Sequence, residues 1–241
     1  MPELPEVETV CRGLSQHLVG QTISSLEINR EGLRFPFPND LNSIVGNQVL
    51  NVVRRAKYIL IGLQNNYTLL VHLGMTGRFK LRTGIIEHEK HDHLVFHFAS
   101  GSTATYTDPR RFGIIDLIHG DVVHPLLSNL GPEPLSKDWN ADVLLESLRN
   151  RKSPIKSVLM NQQVVVGIGN IYASEILFRA GVSPNRKATN ISLQMAKRIH
   201  QSTLDVLDEA IEVGGSTLQD GQFLDVEGKF GYFSHNFSVY D

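Results

Sequence analysis

The chain of 241 residues contains one cysteine, Cys11, and one tryptophan, Trp139. A lone cysteine excludes a disulfide framework and any multi-cysteine zinc site, and it suits a reducing, cytoplasmic setting. No apolar run approaches the length of a membrane span, and the acidic amino terminus does not read as a secretory signal, so no membrane partner is expected. An excess of one charge is lacking too: 23 Lys and Arg stand against 25 Asp and Glu, a formal net charge of −2. Taken alone this argues against nucleic acid, whose binding domains are usually basic. Phosphates respond to local patches, though, and the basic residues cluster at Arg54, Arg55 and Lys57, at Arg110 and Arg111, and at Arg149, Arg151, Lys152 and Lys156. Each cluster, seen alone, reads first as solvated surface.

What is present is a globular composition, 41% hydrophobic and 20% charged, on a chain long enough for one large domain or two smaller ones. Leu4, Val7, Val10, Leu14 and Leu18 recur at helical spacing. Cys11 shares their face and reads as a small buried hydrophobe. Glu3, Glu6 and Glu8 fall where the helix dipole favours negative charge, Pro5 suits a first turn, and Gly20 is a stop. From about 21 to 119 the pattern changes to short runs rich in β-branched and aromatic residues, at 49–53, 58–63, 69–73, 94–98 and 103–107. Asn65-Asn66 and Ser100-Gly101-Ser102 read as hairpin turns, so an antiparallel sandwich or barrel is expected. The Pro-rich stretch 131–139 marks a joint. Beyond it the spacing predicts helices at 142–149, 155–160, 170–180 and 192–213. The last should bury Leu193, Ala196, His200, Leu204, Leu207 and Ile211. The stretch 223–241 reads as one hairpin. The expected class is α+β in two domains: an N-terminal antiparallel β-sandwich with flanking helices (1–131), a linker (132–139), and a C-terminal helical domain (140–241).

Pro2 carries the first chemical signal. Proline in second place is small enough for Met1 to be removed, exposing a secondary amine with a pKa of roughly 7.7–8.0. Such an amine can attack an electrophilic sugar carbon, and the iminium it forms stays cationic and acts as an electron sink. Glu3 would lie next to it, where a carboxyl can pass protons. A plain helix start explains Met-Pro equally well until the neighbouring residues are considered. The run Pro2-Glu3-Leu4-Pro5-Glu6-Val7-Glu8-Thr9-Val10 resembles the opening signature of the formamidopyrimidine-DNA glycosylase family. The resemblance continues in order through Arg54-Arg-Ala-Lys57-Tyr58, His72-Leu-Gly-Met75-Thr-Gly, Lys90-His91-Asp92-His93, Tyr106-Thr-Asp-Pro-Arg110-Arg111-Phe112-Gly113, Leu130-Gly-Pro-Glu-Pro-Leu135 and Val166-Gly-Ile-Gly-Asn170-Ile-Tyr-Ala-Ser-Glu175. Leu4 points to the purine-lesion branch, since the sibling endonuclease VIII group opens Pro-Glu-Gly-Pro.

The resemblance implies a monomeric base-excision-repair glycosylase and abasic-site lyase acting on damaged double-stranded DNA, with oxidised purines such as 8-oxoguanine and formamidopyrimidines as substrates. It implies a helix–two-turn–helix motif in the second domain and a bacterial, nucleoid-associated setting. Pro2 would be the nucleophile, with Glu3, Glu6 and Lys57 as the other catalytic groups. Met75, Arg110 and Phe112 would fill the gap left by the extruded nucleotide, with His91, Arg151 and Asn170 on phosphates. The glycines of 167–169 would bring backbone close, and the helix that follows would offer its N–H groups to phosphate. The segment 218–224 falls where the family closes over the flipped base. Family members continue past Ser-Val-Tyr into a four-cysteine zinc finger, whereas this sequence stops at Asp241; neither that structural zinc nor any other cofactor is expected in this chain. Two further readings stand beside the enzyme: a non-catalytic, lesion-binding remnant, and a metal-dependent hydrolase built on His88, His91, His93 and His97. Alternation along a strand explains His93 and His97 without a metal.

Overall fold

The computed structural model describes residues 1–84, 88–217 and 223–240. A first helix, α1 (Leu4–Leu18), is followed by β1 (Ile23–Ile28), β2 (Val49–Arg55), β3 (Tyr58–Leu63), β4 (Tyr67–His72), β5 (Arg78–Thr83), β6 (Asp92–Phe98), β7 (Ser102–Thr107) and β8 (Ile114–His119). They form two antiparallel four-stranded sheets, ordered β1-β6-β7-β5 and β2-β3-β4-β8. After a short turn of helix, α2 (Pro125–Ser128), come α3 (Ala141–Leu148), α4 (Ile155–Leu159), α5 (Asn170–Arg179) and α6 (Leu193–Glu212). The expected α+β architecture, sandwich first and helices second, is therefore observed. No helix among the described residues is long and apolar enough to cross a membrane.

Two cores meet at α1. Val7, Val10, Cys11, Leu14 and Leu18 pack into the sandwich core, while Leu4 at the same helix's start joins the helical core around Trp139, Tyr172 and Leu207. Leu4, Val7, Val10, Leu14 and Leu18, each worth about 1.5–3 kcal/mol, thus lock the amino terminus against both layers. Val226, late in the chain, returns to the sandwich core, its carbonyl accepting the Leu81 N–H at 3.1 Å.

Several expectations need correction. Strands β1, β5 and β8 lie outside the runs expected at 49–53, 58–63, 69–73, 94–98 and 103–107; Arg78, Lys80 and Arg82 alternating with Phe79 and Leu81 is the period-two signal of a half-buried strand. The buried face of α6 is Ala196, Ile199, Thr203, Val206, Leu207, Ala210 and Ile211, rotated from the expected stripe. Leu193 is exposed, and His200 packs its ring 5.2 Å from that of Trp139. Among the described residues, 223–240 forms no hairpin of named strands; it makes a tight turn closed by Asp225 N–H to Lys229 carbonyl and a bridge from Ser216 to Tyr232.

The Arg54–Arg55 cluster is not solvated surface. Glu133, from the Pro-rich joint, accepts from Arg54 at 2.6 Å, from Arg55 at 2.9 Å and from the Ala56 N–H at 2.7 Å. Arg54 also holds Glu8 of α1 at 2.9 Å, and Arg55 donates to the carbonyls of Leu130 and Gly131. Burial alone would raise the Glu133 carboxyl, but Arg54 and the Ala56 N–H hold it below the usual range. This clasp fixes the β2–β3 turn, where Ala56 adopts a left-handed φ of 54° and delivers Lys57. Glu133→Ala takes the shared counter-ion from two guanidinium groups and leaves the Ala56 N–H without its acceptor, so a loss of about 3 kcal/mol is expected in denaturant unfolding. Glu133→Gln, which keeps an acceptor, should lose less.

Candidate active site

α1 begins with a buried acid. Glu3, the residue before the helix, is 3% exposed. Its carboxylate accepts the N–H groups of Gly169 at 2.6 Å, Ile171 at 3.0 Å and Tyr172 at 3.4 Å. The start of α5 therefore spends those amides on Glu3, which replaces the expectation that they are offered to phosphate. Glycine at 169 is obligatory for this contact, because an added Cβ would lie 2.5 Å from the Glu3 carboxyl carbon. Glu6, one turn on, accepts the Glu3 N–H at 2.8 Å, the Tyr172 hydroxyl at 2.6 Å, and both the N–H and hydroxyl of Ser216 at 2.7 and 2.9 Å. Both oxygens of Glu6 are thus committed to holding α1, α5 and the segment after α6 together.

Lys57 is 7% exposed, not a solvated strand-end lysine. Burial draws its proton affinity down, partly offset by Glu3 and Glu6; burial likewise draws Glu3 up, partly offset by Lys57. Raising the carboxyl and lowering the amine brings their proton affinities closer together, which favours both groups as carriers of protons. Glu3 and Lys57 line one cavity of about 540 Å³ together with His72, Met75, Asn170 and Tyr240. Met1 also lines it, 48% exposed, and Pro2, the next residue, is buried.

The remaining expected residues, His91, Arg110, Phe112 and Arg151, lie on loops and do not line this cavity. Arg110 and Phe112 are exposed on the β7–β8 connection, the guanidinium 4.8 Å from the ring centroid. His91 is half-buried in the turn before β6. Arg151 is exposed between α3 and α4, donates to the Ser147 carbonyl at 2.8 Å, and does not line the cavity. Of the segment 218–224, residues 218–222 lie outside the described residues, as does Asp241. His93 is buried and donates from Nε2 to the Asp108 carbonyl at 2.8 Å, while His88 and His97 flank Glu27. Among the described residues no group of three or more His, Cys, Asp or Glu is arranged to hold a metal. Cys11 is sealed in the sandwich, its thiol pushed up to about 12 by burial, so it does not suit a zinc thiolate.

Residue-by-residue reading missed three contributors. Tyr240 places its hydroxyl 3.4 Å from Asn170 Nδ2. Glu175, buried in α5, accepts the N–H groups of Ser238, Val239 and Tyr240 at 2.9–3.0 Å and so fixes Tyr240 at the cavity; a lone acid on an amphipathic helix gives no hint of this. His72 accepts the Gly74 N–H on Nδ1 at 3.0 Å, which requires neutral imidazole with its proton on Nε2. Burial, with Lys57 and Arg34 nearby, lowers its pKa to about 4. The unfolded chain binds that proton near 6.5, so the contribution is full above 6.5 and is lost as pH falls toward 4. Wild type should lose about 3 kcal/mol relative to His72→Asn between pH 7 and pH 4. Parallel unfolding free energies for the two proteins across that range would show that His72 titrates normally.

The fold and the cavity define a class: two-layer proteins that present a buried N-terminal acid and a buried lysine in the cleft between a β-sandwich and a helical domain. The family model described as formamidopyrimidine-DNA glycosylase N-terminal domain matches residues 1–115, and that described as formamidopyrimidine-DNA glycosylase H2TH domain matches 130–222. The formamidopyrimidine-DNA glycosylase of Roseobacter denitrificans is 48% identical over all of this chain and 88% of its own length, and that of Ruegeria pomeroyi is 47% identical with the same coverage. Among solved structures, the MutM (Fpg) protein from Thermus thermophilus superposes with a TM-score of 0.89 at 37% identity, covering 99% of this chain and 87% of that one. The Lactococcus lactis Fpg in complex with DNA containing an abasic site does so with 0.89 at 34%, again covering 99% and 87%. The chain belongs to the formamidopyrimidine-DNA glycosylase family of bifunctional glycosylase/lyases of DNA base-excision repair.

Proposed function

We propose that this protein removes oxidised purines from duplex DNA and then cuts the strand at the abasic site, acting as a cytoplasmic monomer, with Pro2 as nucleophile once Met1 is gone. The observation that carries this reading is that buried Glu3 and Lys57 line one cavity with Met1, the residue whose removal exposes Pro2. The Pro2 nitrogen attacks C1′ of the extruded nucleotide, the glycosidic bond breaks, and the base leaves with its electron pair and takes up the proton that the newly bonded nitrogen gives up. Glu3 supplies a proton to the ring oxygen as the C1′–O4′ bond opens, leaving an iminium on Pro2. Loss of a C2′ proton, its electrons drawn into the iminium, expels the 3′ phosphate. Lys57, an amine with depressed proton affinity, is suited to assist that step. Glu6 is a positioning residue, since its oxygens are occupied by Glu3, Tyr172 and Ser216. Met75, Arg110 and Phe112 fill the vacated stack, with Phe as wedge and Arg as donor to the orphaned partner base. His91, Arg151 and Asn170 contact phosphates.

Borohydride reduction on duplex carrying 8-oxoguanine or an abasic site should trap one adduct, and mass spectrometry should place it on Pro2. Absence of adduct at low salt, from protein verified to begin at Pro2, would leave a lesion-binding protein without chemistry. Activity that survives chelators would dispose of the metal-hydrolase reading.

A further inference from the structure

Met75, Arg110 and Phe112 must enter one gap together, yet they stand on two loops, 73–77 between β4 and β5 and 108–113 between β7 and β8. Asp108, the first residue of the second loop, has 0% exposure. One carboxylate oxygen accepts the Thr76 hydroxyl at 2.5 Å and the other accepts the Gly113 N–H at 2.8 Å. The Thr76 oxygen in turn accepts the Arg110 N–H at 3.1 Å. A relay therefore runs from the backbone beneath Arg110, through the loop of Met75, to Asp108. The backbones touch as well: Gly74 has φ +62°, and a Cβ on it would lie 2.5 Å from the Phe112 carbonyl carbon. The main chain of Asp108 adds a third element, its N–H donating to the His91 carbonyl at 3.2 Å and its own carbonyl accepting from His93.

We propose that Asp108 is the positioning residue of the gap-filling wedge: its buried carboxylate keys the two loops into one rigid plate, so that Met75, Arg110 and Phe112 enter the duplex as a unit. This rests on the reading that those three side chains fill the gap. A carboxylate suits the position, because one oxygen must accept the Gly113 N–H while the other accepts the Thr76 hydroxyl. Asparagine keeps one acceptor for the Gly113 N–H and meets Thr76 only by reversing that bond, its NH2 donating to the hydroxyl oxygen that already accepts the Arg110 N–H. A buried, fully satisfied network of this kind rigidifies what it joins, and a wedge must be held to a fraction of an ångström to be productive.

Five variants test the idea on two substrates. Base extrusion is followed by stopped-flow fluorescence of 2-aminopurine beside the lesion in duplex, with excision measured in parallel. Borohydride trapping on a single strand bearing an abasic site needs no wedge and reports the chemistry alone. Asp108→Asn should slow the fluorescence change and excision about 30-fold, and Thr76→Val about tenfold, with single-strand trapping within about twofold of wild type. Thr76→Ser, which restores the hydroxyl, should recover the Thr76→Val loss. Equal losses on both substrates, or wild-type duplex rates in Asp108→Asn and Thr76→Val, would overturn the proposal. If Asp108→Asn does not fold, the Thr76→Val and Thr76→Ser pair decides alone. Met75→Ala and Phe112→Ala separate the premises. If they leave the duplex signal intact, the gap-filling reading fails and takes this proposal with it. If they abolish it while the Asp108 and Thr76 variants do not, only the role of Asp108 fails.

Discussion

Protein carrying any residue ahead of Pro2, whether retained Met1 or a tag, is expected to form no trappable adduct and to excise damaged bases on the order of 10⁴-fold more slowly than protein beginning at Pro2. Two causes act together. In an acylated proline the nitrogen lone pair is delocalised into the peptide group and is no longer a nucleophile, whereas a free terminal amine is substantially unprotonated near pH 8. Met1 also lines the cavity that holds Glu3 and Lys57, and Pro2 is buried. Affinity for lesion duplex should fall far less than excision does, because Arg110 and Phe112 stand outside the cavity that Met1 lines. Binding titrations and borohydride trapping on the same two preparations decide the matter. An adduct from extended protein, mapped to Lys57, would move the nucleophile to that lysine, whose depressed proton affinity makes it the rival amine.

Much of this arrangement is legible in the sequence, and the illegible part has a common cause. The apolar spacing of Leu4 through Leu18 announces α1, and the ends of α3, α4, α5 and α6 fall within a residue or two of the expected limits, because local propensity and capping decide them. Strand β1 was missed because its Ile-Ser-Ser-Leu-Glu-Ile run is mostly exposed and carries little apolar pattern. The site fared differently. Pro2, Glu3, Lys57, Met75 and Asn170 were picked out by ordered motifs, and the last four line one cavity. The partners of Glu3, Glu6, Asp108, Glu133 and Glu175 lie from a few to more than two hundred residues away and are mostly backbone N–H groups, which have no signature in a sequence. A buried carboxylate that gathers amides reads in sequence as one more surface acid. Arg54 and Arg55 mislead by the same route, since their counter-ion Glu133 belongs to another element.

Glu3→Gln is expected to lower base excision by about 10³-fold, within the range for loss of a positioned proton carrier, while leaving an adduct trappable on a ready-made abasic site. The carboxylate presents two acceptors to three amides, with Gly169 and Tyr172 on one oxygen and Ile171 on the other. Glutamine has a single acceptor oxygen, so its NH2 must face at least one of those N–H groups, and the fold should lose about 2 kcal/mol. Lys57 loses the anion that sustains its charge, because Glu3 is the leading group holding the lysine's proton affinity up against burial. Removing one carboxyl therefore deprives the opening sugar of its proton donor and shifts the neighbouring amine further toward its neutral form. Attack on a pre-existing aldehyde needs no departing base and far less proton delivery, which is why trapping on abasic DNA should survive. Single-turnover excision, abasic-site trapping and thermal unfolding, measured on one preparation, separate the possibilities. Excision within tenfold of wild type would remove Glu3 from proton transfer. Joint loss of excision and trapping in step with a collapsed unfolding temperature would reduce it to the tether between α1 and α5.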